Sequence, residues 1–295
     1  MNELQPLNIQ NSFQLIKTFP VIIFVLLFFL SCSKDMPTME QETFNDADRP
    51  FFRYNGASNY FYCEPWNYDK EFNQSRKYPL LIYLHGWGGS GMLGGLGYLG
   101  YDTNDGNDDI RAKKFQATYP SFVLIPQTDE SAWDSQELIE LTENFRKQYR
   151  IDSNRIYLIG YSMGGSGSYI FINGYHDYNR HLFAGVIRLA GQSQVEVRDE
   201  IAVRTAIWLH IGLDDVPVRV DITREAYNFL KSKNPDTIEQ TTDVNINGTT
   251  GTTVSLIKDG KEKVKKTEYN NTGHGIEIFP FYDDSLIKWL FDQEL

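Results

Sequence analysis

The stretch Arg155-Ile156-Tyr157-Leu158-Ile159-Gly160-Tyr161-Ser162-Met163-Gly164-Gly165 decides the fold. Residues 155–159 are an apolar run of the length and character of a buried strand. Beyond the glycines, Ser166-Gly167-Ser168-Tyr169-Ile170-Phe171-Ile172 opens a helix. Strand, small-residue turn and helix together push one serine hydroxyl out above a sheet. A side chain two residues before or after that serine would strike the neighbouring strand or helix, so both positions need small residues. Gly160 and Gly164 stand there. The spacing predicts Ser162 as a nucleophile for acyl transfer.

Outward from this point the chain alternates strands and helices. Phe51–Cys63 reads as one or two edge strands. Tyr78–Leu84 is a continuous apolar run ending at His85-Gly86, as expected of a parallel strand buried on both faces. Phe122–Pro126 is a second, closed by its proline. Ser135–Tyr149 carries Leu138, Leu141, Phe145 and Tyr149 at near-helical spacing, with Ser135 as the N-cap. Phe183–Leu189 and Thr205–Ile211 are further strands, and 222–231 and 283–291 further helices. The alternation predicts an α/β fold: a mostly parallel central sheet with helices on both faces, over 50–295. Residues 241–269 depart from it, being rich in Thr, Asn and Gly. There Val254–Lys258 and Lys263–Tyr269 flank Asp259-Gly260, which predicts a β-hairpin extension leading into the loop of His274.

A serine hydroxyl needs a base within hydrogen-bond reach and a third group to orient that base. For a serine displayed on such an elbow, acid and histidine follow in that chain order. The strand ending at Ile211 runs into Gly212-Leu213-Asp214-Asp215, which offers two adjacent carboxylates, either of which would otherwise be a surface turn acid. Of the five histidines, His85 precedes the elbow, His176 and His181 lie in a polar stretch after its helix, and His210 is inside a strand. Only His274, in Asn271-Thr272-Gly273-His274-Gly275, is late, glycine-flanked and downstream of both acids. The oxyanion that forms in acyl transfer needs preorganised backbone N–H donors. Met163, after the nucleophile, is one. Trp87, in His85-Gly86-Trp87-Gly88-Gly89, is the other, with Gly88 its alternative; this leaves the Trp87 side chain to wall a pocket.

Two competing motifs are weaker. Gly89-Ser90-Gly91-Met92-Leu93-Gly94 matches a dinucleotide fingerprint in form, but no helical face follows it. The acidic run Asp102–Asp109 lacks the closing glutamate of an EF-hand loop and reads as solvated. Residues 88–109 together read as a mobile flap beside the site. The chemistry calls for neither metal nor organic cofactor.

The net charge of -11 argues against a nucleic-acid partner, which clustered Lys and Arg would have to hold. At the N-terminus, Lys17 precedes an apolar run from Phe19 to Leu30, too short to span a bilayer comfortably and the length of a signal-peptide core. Ser31-Cys32 follows, in a pattern similar to a bacterial lipobox. The expectation is a signal peptide over 1–31, lipidation of Cys32, a polar tether over 32–49, and a catalytic domain held at a membrane, the outer membrane facing the periplasm or the cell surface. An ordinary secretory signal or an uncleaved anchor are the alternatives, and all three imply export. Cys63 then has no disulfide partner and reads as a small buried hydrophobe.

The chain resembles the α/β-hydrolase esterases related to polyhydroxybutyrate depolymerases, feruloyl esterases and acetyl xylan esterases. The resemblance rests on Tyr78–Gly91, Pro126-Gln127 with Trp133, the run 149–157 and the elbow, and covers most of 50–230. It implies Ser162 as nucleophile and the 85–88 turn as oxyanion loop. The group shows Gly-x-x-Asp after the penultimate strand, and counting from Gly212 or back from Arg224 makes Asp215 the acid. The Val216-Pro217 pair is shifted relative to that group, and the hairpin before His274 is longer. The implied activity is removal of feruloyl or acetyl groups from plant polysaccharide. A serine peptidase and a catalytically inactive glycan-binding lipoprotein are the other readings.

Overall fold

The computed structural model describes residues 53–56, 59–66, 68, 69, 73–89, 114–179, 183–193, 195–282 and 284–295. The expected signal peptide, Cys32, the tether and all of the 88–109 loop beyond Gly89 lie outside the described residues.

Among the described residues, ten strands form one sheet in the order β1-β2-β4-β3-β5-β6-β7-β10-β9-β8. They are β1 (Arg53–Asn55), β2 (Tyr60–Cys63), β3 (Tyr78–Leu84), β4 (Phe122–Pro126), β5 (Ile151–Tyr161), β6 (Gly185–Leu189), β7 (Ala206–Gly212), β8 (Ile238–Ile246), β9 (Thr249–Lys258) and β10 (Lys261–Tyr269). Strands β4, β3, β5, β6, β7 and β10 run parallel, while β1 and β2 on one side and β9 and β8 on the other are antiparallel. Every residue of β3, β4, β6 and β7 is buried, so these strands carry no polar alternation.

Helices cover both faces. On one, Leu80 and Ile82 of β3 share a core with α2 (Ser135–Gln148), α3 (Met163–Asn179), α4 (Asp199–Arg204) and α5 (Pro217–Lys233). On the other, Leu81 and Tyr83 pack with the short α1 (114–118) and with α7 (Asp284–Phe291), near a single turn α6 (Phe279–Tyr282). Successive side chains of one strand therefore feed two separate cores, as the two-residue period of a strand requires.

One expectation is corrected and another extended. The N-cap of α2 is Asp134, not Ser135: one Asp134 carboxylate oxygen accepts from the Gln136 and Glu137 N–H groups at 2.7 and 3.0 Å. Ser135 instead packs against Gly174 of α3, where a Cβ would come within 2.0 Å of its hydroxyl. The expected hairpin across Asp259-Gly260 is present as β9 and β10, and β8 extends it to a three-stranded meander. Asn247-Gly248 makes a second two-residue turn, with φ of 50° and 90°, beside Asp259-Gly260 at 51° and 75°. Positive φ at both central residues matches the right-handed twist of the flanking strands. Nor is the unit an appendage, because β10 pairs in parallel with β7 from Val264 to Tyr269.

Candidate active site

Strand β5 ends at Tyr161 and helix α3 begins at Met163, so Ser162 alone makes the turn. Its φ is 55°, a left-handed conformation costing of the order of 1 kcal/mol or more in a non-glycine residue. The backbone holds it there: the Ser162 N–H donates to Leu189 O at 2.8 Å, and its carbonyl accepts from the Ser166 N–H at 3.0 Å. The glycines are needed for space. A Cβ on Gly160 would lie 2.1 Å from the Gly164 carbonyl oxygen, and one on Gly164 would lie 2.0 Å from that of Leu84.

His274 reaches this serine from the loop after β10. Its Nε2 is 2.8 Å from Ser162 Oγ, and its Nδ1 is 2.7 Å from Asp215 Oδ2. Two contacts hold the loop. The Tyr161 hydroxyl donates to His274 O at 3.1 Å, and the two rings stack at 5.2 Å. Burial pushes the Tyr161 hydroxyl up to about 12, so it stays a donor.

The structure also separates the two acids. Asp215 is buried, with 1% of its side chain exposed, and faces His274. Asp214 is exposed, and its N–H ties the acid loop to the histidine loop through Thr272 O at 2.8 Å. The loops meet so closely that a Cβ on Gly212 would lie 2.3 Å from both the Thr272 and Gly273 carbonyl oxygens. The second Asp215 oxygen, Oδ1, accepts from the Val216 N–H at 2.7 Å and from Arg219 Nη1 at 2.9 Å. Burial pushes the Asp215 carboxyl up, but the hydrogen bonds from His274, Val216 and Arg219 outweigh it and hold it below its ordinary value.

The turn after β3 lies against the serine. The Gly89 N–H donates to Gly86 O at 3.0 Å, and Gly88 has φ 74°, which the third position of this turn type requires. A Cβ on Gly86 would meet the Tyr161 ring at 3.0 Å and Ser162 Cβ at 3.4 Å, so the turn approaches as only glycine allows. His85 clamps it. Its Nε2 accepts from the Thr128 N–H at 3.3 Å, which leaves the proton on Nδ1 to donate to Gly86 O at 2.7 Å. Burial lowers the His85 pKa and favours the neutral ring this pattern needs. The Trp133 indole N–H donates to His85 O at 3.3 Å. Met163 is the first residue of α3, and its N–H has no acceptor within the helix.

Beside Ser162 lies a cavity of about 400 Å³. Trp87, Trp133 and Ile170 give it apolar lining, and Gln192, Ser193 and Arg219 polar lining. Trp87 is 76% exposed and lines this cavity. The structure thus brings together Ser162, His274, Asp215, Met163 and Trp87. Cys63 is buried, and its thiol donates to Glu64 O at 3.4 Å. Sequence reasoning missed Arg219, Gln192 and the tyrosine role of the elbow. Arg219 had a signal, standing four residues after Asp215 at the start of a helix. Gln192 had none.

No family model matches the chain, and no curated protein matches it. Among solved structures, a thermostable esterase is 25% identical with a TM-score of 0.54, over 84% of this chain and 64% of that one. The chain therefore spans less than two thirds of that esterase. A ferulic acid esterase is 15% identical with a TM-score of 0.52, over 81% of this chain and 94% of that one. An acetyl xylan esterase from Aspergillus awamori is 14% identical with a TM-score of 0.53, over 81% and 97%. A sheet whose six central strands run parallel between antiparallel edges, with helices on both faces, agrees with these likenesses: the chain has the α/β-hydrolase fold.

Proposed function

We propose that the chain is a serine carboxylic-ester hydrolase working through Ser162, His274 and Asp215. One observation carries this reading: the chain of short hydrogen bonds from Asp215 Oδ2 through both nitrogens of His274 to Ser162 Oγ, beside an open cavity. Ser162 Oγ attacks the ester carbonyl while His274 Nε2 takes its proton. The Trp87 and Met163 N–H groups receive the developing oxyanion, and losing one such donor commonly costs roughly 100- to 1,000-fold in rate. His274 returns the proton to the departing alcohol, leaving an acyl group on Ser162. Water, deprotonated by the same imidazole, then cleaves the acyl-enzyme. Asp215 fixes the Nδ1–H tautomer and stabilises the imidazolium.

As substrate we propose acetyl or feruloyl esters of plant polysaccharide. The names of the ferulic acid and acetyl xylan esterases that share the fold support this class. So does an exposed tryptophan at the cavity, since a flat ring suits a sugar face or an aromatic acid. The enzyme is proposed to act outside the cytoplasm, held to a membrane through Cys32.

The test is labelling of the purified protein with a fluorophosphonate probe. The wild type should react at Ser162 and the Ser162→Ala variant should not. An unlabelled wild type overturns the hydrolase reading. Hydrolysis of acetyl xylan, feruloylated oligosaccharides and short p-nitrophenyl esters then sorts substrates. Equal, weak turnover of all of them overturns the polysaccharide assignment.

A further inference from the structure

Asp215 has an unusual second partner. A carboxylate with 1% of its side chain exposed is costly unless its charge is compensated. While His274 is neutral it offers Asp215 an N–H but no charge. The fixed compensating charge comes from Arg219, whose Nη1 lies 2.9 Å from Asp215 Oδ1. The guanidinium is itself held, since Nη2 donates to Gln192 Oε1 at 2.8 Å. The Gln192 N–H in turn donates to the hydroxyl of Ser166 at 3.0 Å, one turn along the helix that begins at the serine elbow. Arg219, Gln192 and Ser166 all line the cavity beside Ser162.

We propose that Arg219 is a positioning residue for the reaction read above: it acts through Asp215, keeping that carboxylate charged and aimed at His274 as the pH falls. The physical reason is a sign argument. Asp215 and His274 share a hydrogen bond of 2.7 Å, and the reaction needs the carboxylate charged. A positive charge fixed 2.9 Å from Asp215 opposes protonation there and extends activity to lower pH. Other groups face the same pair. Tyr161, from the end of β5, is neutral over this range, with its hydroxyl pushed up to about 12. Glu277, from the loop after His274, acts on Tyr161 through its charge. Asp214, on the acid loop itself, is exposed. Arg219 also acts on Tyr161, but its charge lowers that hydroxyl's pKa, so removing it leaves Tyr161 neutral over the pH range and the acidic limb reports the guanidinium's effect on Asp215.

The experiment compares kcat and KM for p-nitrophenyl acetate between about pH 5 and 9 in the full chain, as wild type, Arg219→Gln and Arg219→Lys. Arg219→Gln should move the acidic limb of kcat/KM upward by about one pH unit, so that below the limb it loses about tenfold more than the pH-independent fall in kcat it shares with Arg219→Lys. Arg219→Lys keeps the charge but not the two-pronged fork, so its limb should stay near that of the wild type while kcat falls. A loss by the same factor at every pH in Arg219→Gln, with the limb unmoved, marks a merely structural role and overturns the proposal. So does a limb in Arg219→Lys that moves as far as in Arg219→Gln. Should Arg219→Gln not fold, as judged by its thermal transition, Arg219→Met, an uncharged side chain of similar length, takes its place in the same comparison, with the same two outcomes. Absence of turnover and of Ser162 labelling in the wild type is a different outcome, because it removes the hydrolase reading itself.

Discussion

Asp214 and Asp215 are chemically identical neighbours with opposite surroundings. Asp215 turns inward to two hydrogen-bonding side chains and a backbone N–H, while Asp214 turns outward to water. The consequence is measurable. Asp215→Asn should lower kcat by about 10⁴-fold, because an amide next to Nδ1 favours the wrong tautomer and cannot stabilise the imidazolium. Asp214→Asn should leave kcat within about threefold, as an exposed side chain away from the imidazole. Steady-state kinetics on one ester compares the two, and a large loss in Asp214→Asn would reverse the assignment. At this scale the chain order of Ser162, Asp215 and His274 was legible, since each stands just beyond a strand. The choice between the two acids came from resemblance alone, because both fit the same loop and only the approach of the His274 loop shows which of them faces the imidazole.

At the scale of elements, the apolar runs were read correctly and the polar ends were not. Strands β3, β4, β6 and β7 announce themselves because burial on both faces demands unbroken apolar sequence. Strand β8 does not: six of its nine residues from Ile238 are exposed in succession, so no alternation marks it, and only the Asn247-Gly248 turn betrays it. The start of α2 is displaced by one residue because Asp134 and Ser135 are both good caps; Asp134 makes the cap hydrogen bonds, while Ser135 lies against Gly174. Asp134→Ala should therefore destabilise the protein by about 1 kcal/mol. For a domain of this size that lowers the thermal midpoint by roughly 2–4 °C in a calorimetric or circular-dichroism melt. No shift would mean that water replaces the lost cap without cost.

Across the whole molecule, the sheet lets one chain serve two cores and still converge three distant loops. Ser162, Asp215 and His274 follow β5, β7 and β10, which all point the same way in the parallel part of the sheet. Burial also sets the response to acid. The His210 imidazole is held well below its ordinary pKa by burial, reinforced by the charge of Lys265, with Nδ1 paired to the Tyr269 hydroxyl at 3.0 Å. In the unfolded chain an imidazole takes up a proton near pH 6.5. Below that pH the unfolded state binds more protons than the folded one, until the folded pKa is reached. The stability that His210 contributes is thus fully present above about pH 6.5 and is lost as the pH falls, at up to about 1.4 kcal/mol per unit. His210→Gln should flatten the fall in unfolding free energy between about pH 6.5 and 5, measured by urea denaturation. An unchanged slope would exclude His210 as its source.

By itself the sequence determined the alternating α/β order, the tight turn at Ser162 and the loops after strands that carry Asp215 and His274. These features are local: they depend on apolar periodicity, on glycine where a Cβ has no room, and on residues next to the ends of strands. Only the tertiary structure decided that Asp215 rather than Asp214 faces His274, that a meander joins the sheet through β10, and that Arg219 and Gln192 stand beside Ser162. Those outcomes depend on contacts between segments far apart in the chain. Which side chain is buried, and which charge compensates it, is set by the packing of elements whose sequences carry no record of one another.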